Sequence, residues 1–141
     1  DERDTMIVAS VSGRNAAVID MALEAKKVGM NVVVLTSVAF SNSVASRHSS
    51  GKLLKDVADI VIDLKCDLGD AALSLKGIDT KFAATSNVLG LAVMESMMAR
   101  TIEINKAHDF DTPIYLSSNV NKGDEVNAKH LAKYRKLLSN L

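Results

Sequence analysis

Two hydroxyls and a glycine break an apolar run near the start of the chain: Met6-Ile7-Val8-Ala9-Ser10-Val11-Ser12-Gly13-Arg14-Asn15. This order of residue types can cradle an anion. Ser10 and Ser12 supply short O–H donors at the end of a buried strand. Gly13 lets backbone approach a ligand closely. The helix that follows turns its free N–H groups and the positive end of its dipole toward the same space. Phosphate is the anion that such a turn suits best. The candidate binding residues here are Ser10, Ser12, Gly13, Arg14 and Asn15.

More hydroxyls recur at strand and helix ends. Thr36 and Ser37 end a second apolar run, Ser41 and Ser43 follow in the next loop, and Ser86 stands beside Thr85 at the start of a long helical pattern. In an open parallel sheet, ligands bind beyond the carboxyl ends of the strands, so Thr36, Ser37 and Ser86 join the candidate set on one rim. Helix capping is the competing explanation for Ser12, Asn15, Ser41 and Ser86.

Acid–base groups are few. His48 lies in a loop between Arg47 and Lys52, where it is either a base or an exposed loop histidine. Glu95 and Glu103, eight residues apart on the long helix, are either catalytic or solvated. These leave the catalytic residue unassigned, with His48 and Glu95 as candidates. His108 and His130 read as surface residues. Cys66 is alone, without an activating neighbour in sequence. Ser50-Gly51-Lys52-Leu53 lacks the upstream glycine and the final Ser or Thr of a nucleotide P-loop. No His/Cys spacing suits zinc, and no acidic spacing suits calcium. Neither a metal nor a cofactor is expected.

The elements that must position these groups follow from periodicity. Residues 4–11 and 31–36 read as buried strands, with a helix at 15–28 between them that Gly29 ends. A helical turn near 43–47, a short helix at 52–57 and a third strand at 59–63 come next. Residues 65–80 read as irregular, with an extended piece at 71–75. A long helix follows at 86–106, then an extended segment at 113–116 and a basic amphipathic helix at 126–138. Strands alternating with helices predict an α/β protein with a parallel sheet. An apolar first strand at the sheet edge implies a neighbouring strand supplied by residues before Asp1 or by another chain.

The 141 residues carry 17 basic and 17 acidic side chains, 4% aromatics and no Trp. The charge balance argues against a nucleic-acid partner, and the aromatic scarcity against base stacking. No apolar run reaches membrane-spanning length and no signal peptide is visible. One cysteine fits a reducing cytoplasm.

The segments Ser10-x-Ser12-Gly13-x-Asn15, Ala25-Lys26-Lys27-x-Gly29, the strand ending in Thr36 and the pair Ala58-Asp59 together resemble the sugar isomerase (SIS) domain family, over residues 4 to about 106. Within it the chain is similar to phosphoheptose isomerases and to a bacterial group of SIS proteins. The latter likeness lies in Ser43-Val44-Ala45-Ser46-Arg47-His48-x-Ser50-Gly51-Lys52 and in Ser117-x-Asn119-x-x-x-Gly123-Asp124-Glu125-x-Asn127. The resemblance implies a flavodoxin-like three-layer fold lacking its first strand, one domain over 1–141 with 109–141 as a C-terminal extension, and a phosphorylated sugar as ligand. It puts the phosphate on Ser10, Ser12, Gly13 and Asn15 and the sugar near Ser86, and it implies a homo-oligomer. The chain departs from the family pattern at Asn15, where Thr or Ser is commoner, and at Ala17, where many members are acidic. The late-helix histidine of phosphoheptose isomerases is absent. An isomerase and a non-catalytic phosphosugar sensor are both compatible with these residues, and an assembly module is a third option.

Overall fold

The computed structural model describes residues 1–135. The chain divides into two units, residues 1–95 and 96–141. The first holds strand β1 (Thr5–Ala9), helix α1 (Ala16–Lys27), strand β2 (Asn31–Thr36), a short helix α2 (Val38–Asn42), a 3-10 turn (Leu54–Asp56) and strand β3 (Ile60–Asp63). A hairpin of β4 (Ala71–Leu75) and β5 (Ile78–Ala84) and the start of helix α3 (Ser86–Ala107) complete it. The architecture is α/β, with β1, β2 and β3 in one parallel sheet in that order, consistent with a flavodoxin-like fold.

The β-branched run Val32-Val33-Val34 is central because it is paired on both sides: Val34 opposes Val8 in β1 and Val61 in β3. Every residue from Val32 to Thr36 is buried, as suits a parallel strand covered on both faces. On α1, Ile19, Ala22 and Ala25 recur at helical spacing and pack with Val8, Val32, Val34, Leu54 and Val57. Gly29, at φ +86°, closes the helix as the left-handed residue, and the Met30 amide returns to the Ala25 carbonyl at 3.0 Å. The Asp59 carboxylate bonds the Lys26 ammonium and accepts from the Val32 amide at 2.7 Å, which ties α1 and β2 to the entry of β3. Both interactions hold its pKa below the ordinary carboxylate value, the Lys26 contact foremost.

Three expectations from the sequence are revised in this unit. The helical turn foreseen at 43–47 forms earlier, as α2, because Ser37 caps it by accepting from the Phe40 amide at 3.3 Å. The helix at 52–57 contracts to the 3-10 turn. Residues 78–84, read as irregular up to 80, are strand β5, antiparallel to β4 with Leu73 opposite Phe82 and Leu75 opposite Ile78. Lys76 and Gly77 form the two-residue turn between them, with Gly77 at φ +88°. Among the described residues the third strand pairs only with β2, and its Ile60 and Val61 are exposed. The hairpin and α3 also leave apolar side chains in solvent, among them Leu73, Phe82, Val88 and Leu91.

In the second unit, α3 continues from Ser96 and α4 (Gly123–Tyr134) closes the described chain. Residues 113–116 form no strand. The Asn127 side chain takes a strand partner's place, accepting from the Leu116 amide at 2.9 Å and donating to the Leu116 carbonyl at 2.7 Å. Gly123 is required where it stands, because a Cβ there would lie 2.3 Å from the Ser117 carbonyl oxygen. The closing helix starts three residues earlier than its apolar pattern suggests, and positions 136–138 of that expectation lie outside the described residues. Among the described residues no helix is long and apolar enough to cross a membrane.

Candidate functional site

Residues 10–15 join the end of β1 to the start of α1, and their backbone polarity is sorted. The Val11 carbonyl accepts from the Ser37 amide at 2.9 Å and from Thr36 Oγ1 at 2.8 Å. The Gly13 carbonyl accepts from the Leu54 amide, and the Arg14 carbonyl from the Arg47 amide, each at 2.8 Å. By contrast, the amides of Ser12, Gly13, Arg14 and Asn15 donate to no acceptor among the described residues. Three of the turn's carbonyls, those of Val11, Gly13 and Arg14, are thus taken by the protein, while the four amides are left to donate. That is the polarity an oxyanion needs, and the dipole of α1 adds to it.

The side chains agree. Asn15 holds the N-cap position at φ −78°, ψ 138°, yet its side chain makes no capping hydrogen bond. Its Oδ1 instead accepts from Arg47 Nη1 at 3.2 Å, which brings a second guanidinium to the turn that already carries Arg14. Arg14 Nε is buried without a hydrogen-bond partner. Capping is thus removed as the explanation for Asn15. Gly13 sits at φ +60°, and a Cβ there would meet Leu54 Cβ at 3.2 Å and Ser41 Oγ and Thr36 Oγ1 at 3.5 Å. The turn is pressed onto β2, α2 and the 3-10 turn with no space for a side chain beneath it.

Thr36 and Ser37 come to the same rim but are fully buried. The Thr36 hydroxyl is bound to Val11, and the Ser37 hydroxyl donates to the Cys66 carbonyl at 2.7 Å while capping α2. These two side chains fasten the turn from below. Asp63 serves the same layer by accepting from the Val38 and Lys65 amides, both at 3.0 Å. The Lys65 ammonium, foremost, lowers its pKa.

Ser86 is brought beside Ser10. A cleft of about 120 Å³ is lined by Ser10, Val11, Leu64, Ser86, Asn87 and Gly90, together with Ala9. Asp70, which the sequence offered only as part of an acidic set that does not suit calcium, holds Ser86 there. Asp70 Oδ1 accepts from the Thr85 and Ser86 amides at 3.2 and 2.9 Å, and its Oδ2 accepts from the Ser86 hydroxyl. Asp70 thereby caps α3 from across the hairpin. Desolvation pushes its pKa up, but the Ser86 and Thr85 hydrogen bonds outweigh that and hold it below the ordinary value. The signal available in the sequence was Gly69-Asp70 ahead of the hairpin. Both residues are left-handed, at φ +81° and +69°, and Asp is among the few non-glycine residues enriched there.

His48 is not the exposed loop histidine that was the alternative to a base, since only 12% of its side chain is exposed. Nε2 lies 2.9 Å from Asp20 Oδ1 on α1, and Nδ1 lies 2.6 Å from Ser50 Oγ and accepts from the Ser50 amide at 3.1 Å. An Nδ1 that accepts requires the proton on Nε2, directed at Asp20. His48 thus latches residues 46–50 onto α1 beside the Arg47 contacts. Glu95 is exposed on α3. Cys66 is 3% exposed, and burial pushes its thiol pKa up.

The SIS domain family model matches residues 1–37. That stretch contains β1, the turn, α1 and β2, so the matched part coincides with the candidate cradle. Curated relatives extend the likeness along the chain. A UPF0309 protein of Streptomyces griseus is 40% identical over 132 residues, which is 94% of this chain and 53% of the relative. A UPF0309 protein of Shouchella clausii is 41% identical, covering 94% and 54%. One of Listeria innocua is 44% identical over 131 residues, covering 93% and 53%. The chain spans about half the length of these relatives. Of the two likenesses read within the SIS family, these relatives bear the UPF0309 name and not that of phosphoheptose isomerase.

Proposed function

We propose that this chain binds a phosphorylated sugar, with the phosphate at the turn of residues 10–15 and the sugar carbons toward Ser86. The observation that carries this reading is the sorted backbone of the turn: carbonyls of Val11, Gly13 and Arg14 bound to protein donors, amides of residues 12–15 bound to none, all at the N-terminus of α1. The SIS match over residues 1–37 covers the same turn and supports the same ligand class. Ser12, Gly13, Arg14 and Asn15 supply the phosphate donors in this reading, Ser10 and Ser86 contact the ligand, and Thr36 and Ser37 hold the turn in shape.

Binding is favoured over isomerisation as the function of these residues. An isomerase needs a free base at the reacting carbons. Both ring nitrogens of His48 are engaged by Asp20 and Ser50, and Glu95 is a solvent-exposed helix residue. The test is calorimetric titration with inorganic phosphate and with sugar phosphates. Ser12→Ala combined with Asn15→Ala removes charge-assisted hydrogen bonds and frees Arg47, and should weaken binding by about 2–4 kcal/mol. Unchanged affinity in the double variant removes the Ser12 and Asn15 side chains from the site, and absence of phosphate binding by the wild-type protein removes the turn.

A further inference from the structure

The Asp70–Ser86 contact fixes the direction of a hydroxyl. A serine hydroxyl has one proton to give and two lone pairs to offer. Asp70, hydrogen-bonded by two amides and two hydroxyls, is a carboxylate at neutral pH and has no proton of its own. The Ser86 proton is therefore committed to Asp70 Oδ2, and what Ser86 shows to the cleft is lone pairs alone. A phosphate dianion also has only lone pairs, so Ser86 offers it no partner. A ligand O–H or N–H finds one. The donors that phosphate needs lie a few residues away, at the amides of 12–15. Gly90, one turn along α3, adds no side chain to the cleft, and a Cβ built there meets nothing within 4 Å. Carbon skeleton can thus lie against the helix backbone.

We propose that Asp70 is a specificity-determining positioning residue: by holding Ser86 as a hydrogen-bond acceptor, it assigns the Ser10–Ser86 cleft to a hydroxyl-bearing carbon of the ligand and keeps the phosphate at the turn. This rests on the reading of the turn as a phosphate site. It also goes beyond that reading, because it fixes the orientation of the bound molecule and gives a role to a residue that touches no ligand. Asp70→Asn reverses the polarity. The asparagine amide donates to Ser86 Oγ, and the Ser86 proton is released toward the cleft.

The experiment is calorimetry on the full chain at pH 8 with two probes, inorganic phosphate and the open-chain hexitol ester sorbitol 6-phosphate. The wild-type protein should bind sorbitol 6-phosphate more tightly than inorganic phosphate. Asp70→Asn and Ser86→Ala should each reduce that preference about fivefold, a factor typical of one hydrogen bond, with inorganic phosphate affinity held within about twofold. Ser86→Ala keeps the Asp70 carboxylate on the α3 amides, so it reports even if Asp70→Asn loosens the helix start. Gly90→Leu, which fills the cleft, should also lower the preference. An unchanged ratio in Asp70→Asn and Ser86→Ala overturns the assignment while the phosphate site stands. Equal loss for both probes makes Asp70 a structural cap only and also overturns it. Absence of phosphate binding by the wild type refutes the turn reading, and the assignment with it.

Discussion

Replacing Gly13 by alanine tests the packed turn most directly, because the structure separates two costs. The first is conformational. At φ +60° an L-residue with a Cβ is disfavoured by about 1 kcal/mol or somewhat more. The second is contact. The new Cβ would lie 3.2 Å from Leu54 Cβ and 3.5 Å from two hydroxyl oxygens, Ser41 Oγ and Thr36 Oγ1. Leu54, Ser41 and Thr36 are all fully buried, and Leu54 is bound through its amide to the Gly13 carbonyl itself. The neighbour must give by a few tenths of an ångström inside a packed layer, for which overpacking of about 1–2 kcal/mol is appropriate. The sum is about 2–3 kcal/mol. Gly51 supplies the internal control, since its φ is +72° and a Cβ there meets nothing within 4 Å. Gly51→Ala should therefore cost only the conformational part, about 1 kcal/mol. Urea denaturation followed by far-ultraviolet circular dichroism measures both. Phosphate titration of Gly13→Ala should also show weakened binding, because the displaced carbonyls carry the neighbouring amides with them. A Gly13→Ala variant no less stable than Gly51→Ala would refute the close approach of the turn to Leu54 and, with it, the account of why a glycine stands there.

Other consequences can be checked in the same material. The folded-state pKa of Asp59 is depressed by Lys26 and the Val32 amide, so its contribution to stability is complete above the ordinary value of 3.8 and is lost as pH falls through the lower folded value. Asp59→Asn should be less stable at neutral pH and lose less on acidification, read as urea midpoints from about pH 5 down to about pH 2; parallel curves would contradict the bridge. Cys66, buried with a raised thiol pKa, should resist an aromatic disulfide reagent in the native protein and react at once in denaturant. Rapid native labelling would show the layer beneath Ser37 to be open. Gly90→Ala should stabilise α3 by up to about 1 kcal/mol, since the helix gains propensity and the Cβ meets nothing. A loss of stability on urea denaturation would mean that the position is packed.

Much of the sheet was legible because its signals are local. The apolar run 5–9, the α1 stripe of Ile19, Ala22 and Ala25, the glycine that ends it and the valines of β2 each declare themselves within a few residues. The hairpin was only half legible. Leu73 and Leu75 alternate with small or polar residues, whereas the strand opposite them carries Asp79, Thr80 and Lys81, which suppress the pattern. The two-residue Lys76-Gly77 turn was the overlooked cue. The start of α2 escaped because its cap, Ser37, looked from the sequence like a strand end.

By itself, the order of residues determined that a hydroxyl-rich turn with one glycine would lead from a buried strand into a helix, because strand period, helix period and left-handed glycine are properties of neighbours along the chain. Only the tertiary structure decided what that turn presents. Its carbonyls are taken by donors from positions 36, 37, 47 and 54, the Asn15 side chain is drawn to Arg47, and the Ser86 proton is claimed by Asp70 sixteen residues earlier. Each of these is a choice of hydrogen-bond partner between segments remote in sequence. Such choices follow from which strands pair and which loops are pressed against them, and they determine whether a donor or a lone pair is left facing the ligand.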